Sequence, residues 1–188
     1  MSHPHIGERL RRYRREAKKT LLDVASAAGV SVGFLSQAER NLTGISISSL
    51  ANIAKALNVP MRALLEQPSQ DAPDSHQGQR QRYAVGSQRQ TYERLSSRFP
   101  GHQINAVKMT MPVGYTSEEV SHDGDEFVYV LSGQARYVVA GTRYDLAVGD
   151  SLHFDAHQPH SVANIAQDVT EVISVGTMRI FDDAGATV

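Results

Sequence analysis

Three residues in the second half of the chain have the types and spacing of a metal centre. His122 and Glu126 are separated by three residues in HDGDEFVYVLSG, and His160 follows in HQPHSVAN. Two imidazoles and one carboxylate, with coordination positions left open, match the facial triad of non-haem iron sites; the same set suits zinc or manganese. From spacing alone, a structural or exposed role fits these histidines as well. His153 and His157 flank the second segment and are expected at a rim or on the surface. Cysteine is absent, so disulfides and thiolate ligands are excluded.

A second chemistry lies in Thr20–Arg40, TLLDVASAAGVSVGFLSQAER. Two short apolar-periodic runs sit either side of Gly29. Val24, Ala25 and Ala28 mark the inner face of the first, and Val30, Leu35 and Ala38 that of the second. Thr20 and Ser31 are placed to N-cap the two helices, each hydroxyl accepting from a free backbone N–H. Ala25 is small enough for a close crossing, and Gly29 tolerates the positive φ of a sharp turn. This is the pattern of a helix-turn-helix, whose second helix enters the DNA major groove.

The elements that position these two sets differ in kind. Before Thr20, the repeat Ile6, Leu10, Tyr13, Ala17 predicts a helix over 6–18, with Arg9, Arg11, Arg12, Arg14 and Arg15 on its other faces. After Arg40, NLTGIS reads as a loop. Ser46 caps a fourth helix that buries Ile47, Leu50, Ile53, Ala54 and Leu57. Pro60 opens a short fifth helix carrying Met61, Leu64 and Leu65. From Gln67 to Gln79 the chain is polar, holds two prolines and has no apolar period, as a linker would. His76 within it is expected to be solvated, like His3 and His5. Beyond residue 80 short strand-like runs follow. Val107, Met109 and Met111 alternate with Lys108 and Thr110; then come EFVYVL, ARYVVA, TRYDLAV, SLHFD, HSVAN and EVISV. Gly133, Gly141 and Gly149 punctuate them as hairpin turns would. Such runs predict an antiparallel sandwich or barrel.

Charge divides the chain at the same place. Its 188 residues carry a net charge of −1, yet residues 1–68 hold ten Lys/Arg against five Asp/Glu. Residues 69–188 hold nine against fifteen. A basic first part and an acidic second part fit two domains, the first facing phosphates. No apolar run approaches the roughly 20 residues of a membrane helix, and the first residues lack the apolar core of a signal peptide. A cytoplasmic protein is expected, with no membrane partner.

Residues 6–66 resemble the helix-turn-helix domain of the XRE family, the group of the lambdoid phage repressors. The resemblance rests on LRRYRR, DVASAAGVSVGFLSQAER, SISSLANIAKALNV and MRALLE. It implies that Val32, Gly33 and Gln37 face base edges with Phe34 nearby, and that Ser31, Arg40, Asn41 and Thr43 contact phosphate. Gln37 is the best direct reader, because its amide can bond both N6 and N7 of adenine. Two positions depart from the family: Leu21 stands where many members have glutamine, and Asn41 stands for a glycine.

Residues 100–180 resemble the cupin superfamily, a jelly-roll barrel. The first cupin motif appears as Gly114, His122, Glu126 and Gly133. The second appears as Gly141, Gly149, Asp150, Pro159, His160 and Asn164. By that match His122, Glu126 and His160 are the metal-ligand positions, for a divalent zinc, iron, manganese or nickel ion. A further histidine usual in the first motif is replaced by Val120, which leaves a three-ligand site. Tyr129, Arg136 and Tyr137 lie on strands whose register the sequence does not fix.

The expected fold is therefore α+β: a five-helix, lambda-repressor-like domain (1–68), a linker (69–80) and an all-β cupin jelly roll (81–188). The combination resembles bacterial transcription regulators. It implies a non-enzymatic homodimeric DNA-binding protein, expected to be a repressor, on a palindromic double-stranded operator. Its cupin would sense an amino acid, peptide or polyamine. The rival is a metal-dependent cupin oxidoreductase, since hydroxypropylphosphonate epoxidase has a similar plan and the same His-x-x-x-Glu interval.

Overall fold

The computed structural model describes residues 6–65, 72–85 and 90–178, which form two compact units. His3, His5 and the run from Glu66 to Asp71 lie outside the described residues.

The first unit is helical: α1 (Ile6–Glu16), α2 (Leu21–Ala28), α3 (Val32–Glu39), α4 (Ile47–Leu57) and α5 (Met61–Leu64). Local chemistry sets the boundaries. Thr20 caps α2 in a full capping box, with Asp23 reaching back to the Thr20 N–H at 2.7 Å. Ser31 and Ser46 cap α3 and α4 with single hydroxyl acceptors. Each such cap is worth about 1 kcal/mol. Gly29 ends α2 at φ 66°, and the chain bends by 111° into α3, within the range of helix-turn-helix units. Val24, Ala25, Leu35, Leu50, Ile53 and Leu64 are all fully buried and form the centre of the core.

Helix α1 departs from the expected stripe. It buries Ile6, Gly7 and Leu10, leaves Tyr13 half-buried, and exposes Ala17. The inward position one turn after Leu10 belongs to Arg14, whose guanidinium makes a bidentate pair with Glu39 of α3 at 2.5 and 2.8 Å. The helix then stops at Glu16, and Lys18 turns left-handed at φ 54°. Gly7 is forced by the same contact: a Cβ there would lie 2.3 Å from the Ala38 carbonyl oxygen of α3.

The second unit is antiparallel β-structure. A six-stranded sheet has the order β1 (Arg82–Ala84), β2 (Thr91–Arg94), β3 (Asn105–Met111), β9 (Thr170–Gly176), β4 (Asp125–Ser132), β7 (Ser151–Asp155). A three-stranded sheet has the order β6 (Thr142–Leu146), β5 (Ala135–Val139), β8 (His160–Asn164). Alternation sets the inner face: Val107, Met109 and Met111 are buried while Ala106, Lys108 and Thr110 are half-exposed. Tyr92, Val128, Val130, Tyr137 and Val172 complete that interior. Gly133 turns at φ 75°, where a Cβ would meet Thr170 Oγ1 at 2.3 Å. Of the segment read as a linker, Ser75 donates to the Leu95 carbonyl, and Arg80 approaches Glu93 of β2 at 3.6 Å. His76 is exposed beside Asp74.

The Arg14–Glu39 pair yields a test. Both side chains are largely buried, at 13% and 5% exposure, so removing one strands the other. Glu39→Ala should cost the helical unit about 2–4 kcal/mol in denaturant unfolding. Arg14→Met combined with Glu39→Leu should recover most of that loss. Equal losses in the single and double variants would show that the pair is not what holds α1 to α3.

Candidate functional site

Helix α3 has one buried face and one open face. Leu35, Ala38 and Glu39 of α3 are buried, whereas Val32, Gly33 and Gln37 are exposed and Phe34 and Ser36 are half-exposed. The residues implied as base readers thus share the open side of the helix. The implied phosphate contacts fare differently. Ser31 is exposed; its Oγ accepts from the Phe34 N–H at 3.0 Å, which leaves the hydroxyl proton to donate. Arg40 is exposed and lies along α3, its Nε donating to the Ser36 carbonyl at 3.1 Å. Thr43 is half-buried. Asn41 adopts φ 56°, the left-handed conformation that its side chain tolerates. Its Oδ1 accepts from the Gly7 N–H at 3.0 Å, so only its amide NH₂ is left for a phosphate. Among the arginines of α1, Arg14 is consumed by Glu39 and Arg9 donates to the Leu64 carbonyl. Arg11, Arg12 and Arg15 are exposed; Arg12 lies 3.8 Å from Glu16 and over the Tyr13 ring.

In the β unit, His122, Glu126 and His160 converge. One ligand atom of each lies within 4.8 Å of the other two. Glu126 Oε2 stands 3.4 Å from His122 Nε2 and 3.6 Å from His160 Nε2. The three come from different places: the loop before β4, the start of β4, and the start of β8. A reciprocal backbone bridge between Val120 and His160, at 2.9 and 2.8 Å, brings the first and last together.

Each ligand atom is oriented by a partner on its far side. His122 Nδ1 is 3.1 Å from the Asp123 carbonyl oxygen, and His160 Nδ1 is 2.8 Å from that of Gln158. Nδ1 therefore donates on both rings, and Nε2 faces inward. Glu126 Oε1 accepts from Ser174 Oγ at 3.0 Å, which leaves Oε2 toward the imidazoles. Burial pushes His160 below the usual histidine value. Burial pushes His122 the same way, but the Glu126 carboxylate and the Asp123 carbonyl outweigh it and raise that histidine. Burial would raise Glu126; the two imidazoles and Ser174 hold it lower.

This donor set fits a divalent cation. His122 Nε2 is buried without a hydrogen-bond partner, an arrangement that costs free energy unless something occupies the centre. Two ligands about 2.1 Å from an ion and 90–109° apart are separated by roughly 3.0–3.4 Å, close to the two contacts that Glu126 makes with the imidazoles. Two imidazoles with one carboxylate suit several first-row metals and do not select among them.

Residues 10–64 match the family profile described as helix-turn-helix, and residues 107–176 match that described as cupin domain. The HTH-type transcriptional regulator PuuR of Escherichia coli (strain K12) is 24% identical over 177 residues, which cover 93% of this chain and 96% of that protein. The HTH-type transcriptional regulator SutR of the same strain is 29% identical over 157 residues, covering 82% and 84%. A crystal structure of an HTH_3 family transcriptional regulator from Vibrio cholerae has the same fold, with a TM-score of 0.56 at 19% identity over 92% of this chain and 94% of that one. The chain thus joins a helix-turn-helix domain to a cupin domain, and it is similar over most of its length to two HTH-type transcriptional regulators.

In this chain the remaining cupin-motif residues separate from the triad and serve as scaffold. Val120 is 5% exposed and apolar, so the position of the missing histidine contributes only its backbone bridge. Asn164 donates to the carbonyls of Met111, Pro112 and Asp168 and accepts from Thr170, which staples the barrel end. His153 and His157 are exposed beside Asp125 and Asp155. Of the three strand residues left without register, Tyr137 points inward and is buried. Tyr129 points outward, and Arg136 pairs with Asp145 in the open. Ser174 and Glu39 escaped the sequence reading. Ser174 shares the inward parity of Val172 on β9, and Glu39 falls on the apolar face of α3.

His160→Ala should abolish stoichiometric binding of added zinc or cobalt by the purified chain. Ser174→Ala should retain binding but weaken it about 10–100-fold, as loss of an orienting partner does elsewhere. Titration with elemental analysis reads both, and unchanged metal content in His160→Ala would refute the triad.

Proposed function

We propose that this chain is a homodimeric transcriptional repressor of the bacterial cytoplasm. Its helical domain (1–68) reads a palindromic operator, and its cupin domain (81–188), reached through the 69–80 linker, senses a small metabolite. The observation that carries the reading is the open face of α3. Val32, Gly33 and Gln37 stand clear of the core, in a chain whose near-full-length relatives are transcriptional regulators.

Gln37 is the direct reader, bidentate to adenine, and Val32 and Phe34 offer apolar contact to thymine methyls. Ser31, Arg40, Thr43 and the Asn41 amide position the helix on phosphates without specifying sequence. A single domain with one bidentate reader binds weakly, so two copies on paired half-sites supply the missing affinity. His122, Glu126 and His160 hold a divalent zinc, iron, manganese or nickel ion, which would offer an anchoring point for an effector such as an amino acid, peptide or polyamine. Effector binding shifts the dimer between two geometries that differ in operator affinity. A metal-dependent oxidase is the reading that the triad taken alone would equally allow; the regulators among the relatives and the accessible recognition face support the sensor instead.

Gln37→Ala tests the base-reading role. It should weaken binding to the cognate operator by about 1–3 kcal/mol and leave binding to unrelated duplex DNA unchanged. Competition titrations at fixed salt measure both, and an equal loss on the two DNAs would move Gln37 out of the base-reading role.

A further inference from the structure

Folded proteins leave few buried polar atoms without a partner, so a group of them marks a place where something else binds. Such a group lines the β unit. Tyr83 Oη, Asn105 Oδ1, Tyr115 Oη and His122 Nε2 are all buried with no hydrogen-bond partner among the described residues. Strand pairing explains why they meet. Asn105 is the first of the buried, inward residues of β3, and Tyr83 stacks on Tyr92 of β2 with ring centroids 5.7 Å apart. Gly176 stands opposite both Asn105 and Glu126, so that row carries no side chain between the amide and the triad. It spans two strand spacings, roughly 9–10 Å. From the other sheet Tyr137 turns inward; its ring lies 6.4 Å from that of Phe154, which lies 5.0 Å from that of His160.

Charge decides what this interior takes. Among the described residues, Glu126 is the one carboxylate on the inward rows of the strands, and two imidazoles and Ser174 already share it. Outside the triad those rows carry one charge, the cation Arg94, whose Nε donates to the Ser96 carbonyl. Glu118 and Glu119 follow Tyr115 on the loop before β4, the first half-buried and the second exposed. An amine cation inside would therefore lack a buried counter-charge, and a divalent ion at the triad would repel it. The phenols are neutral donors. Burial and the Glu126 carboxylate push Tyr137 well above the usual tyrosine value. Burial, Glu118 and Tyr137 raise Tyr115 by more than the nearby Tyr92 phenol lowers it. Protonated hydroxyls beside a cation complement an anionic oxygen.

We propose that the barrel interior binds a small carboxylic acid, its carboxylate facing the centre formed by His122, Glu126 and His160 and accepting hydrogen bonds from the Tyr115 and Tyr137 phenols. This names the effector class of the sensor proposed above and rests on that reading for its biological use. It selects among the effectors considered there. A polyamine is the wrong charge, and a peptide is too long for a row of two strand spacings. An amino acid fits through its carboxylate, as does any acid of a few carbons.

The test uses the full chain loaded with zinc and titrated calorimetrically. The probes are acetate, L-alanine and succinate, against 1,4-diaminobutane, which matches succinate in carbon count and opposes it in charge. At least one of the acids should bind one-to-one, and the diamine should not. Tyr115→Phe and, separately, Tyr137→Phe should weaken that binding roughly 10–100-fold while zinc stoichiometry stays unchanged. Tyr115→Phe should not lower the melting temperature of the ligand-free chain, because it removes a buried hydroxyl that has no partner. A merely structural tyrosine would lower it. Binding of none of the acids, or binding that both variants leave intact, overturns the proposal. Diamine binding that is lost in His160→Ala overturns the carboxylate class and leaves the sensor reading standing. Operator affinity is read with and without the bound acid. An acid that binds as expected but leaves operator affinity unchanged supports the site and overturns the sensor reading.

Discussion

The buried pair between Arg14 and Glu39 is the contact on which the DNA-facing half depends. Glu39 closes the last turn of α3 and is 7% exposed, so its charge must be matched from within the fold. Arg14 supplies the match and also donates to the Lys19 carbonyl, which fixes the turn into α2. Gly7 and Asn41 reinforce the contact from the other side, through the close approach to Ala38 and the hydrogen bond at 3.0 Å. With one face of α3 held this way, Val32, Gly33 and Gln37 have only the outward side left. The exposure of these three positions therefore follows from a constraint on the opposite face of the helix.

The β unit repeats the logic with a different acid. Glu126 is drawn at once by two imidazoles and by Ser174, and each imidazole is pinned by a backbone carbonyl. These restraints come from β4, β8, β9 and the loop before β4, so the geometry of the triad reports how the two sheets meet. A group held at the triad would therefore contact side chains from both sheets.

Much of this was legible in the sequence because local rules decide it. Caps at Thr20, Ser31 and Ser46, the left-handed turn at Gly29 and the period-two run 107–111 are short-range, and all appear where expected. The triad was legible through the cupin resemblance, because the spacing of His122, Glu126 and His160 taken alone fits structural or exposed histidines as well. What escaped depends on distant partners. Arg14 looks like any other arginine of α1 until Glu39 is opposite it, and Ala17 looked buried because the apolar period does not know where the helix ends. The same holds for β1 and β2, whose three and four residues are too short to declare an alternation. Tyr129 and Tyr137 needed register, which only the pairing of β4 with β9 and of β5 with β8 supplies.

A chain that reads DNA sequence through α3 must find particular sites in its own genome. The most direct measurement is binding of the purified protein to fragmented genomic DNA from its own source, at two salt concentrations, with the bound fragments sequenced. A few palindromic sites are expected, enriched at both salts and bound less tightly at the higher one as phosphate contacts are screened. Recovery of no sequence above background at either salt, from a folded and metal-loaded dimer, would contradict it.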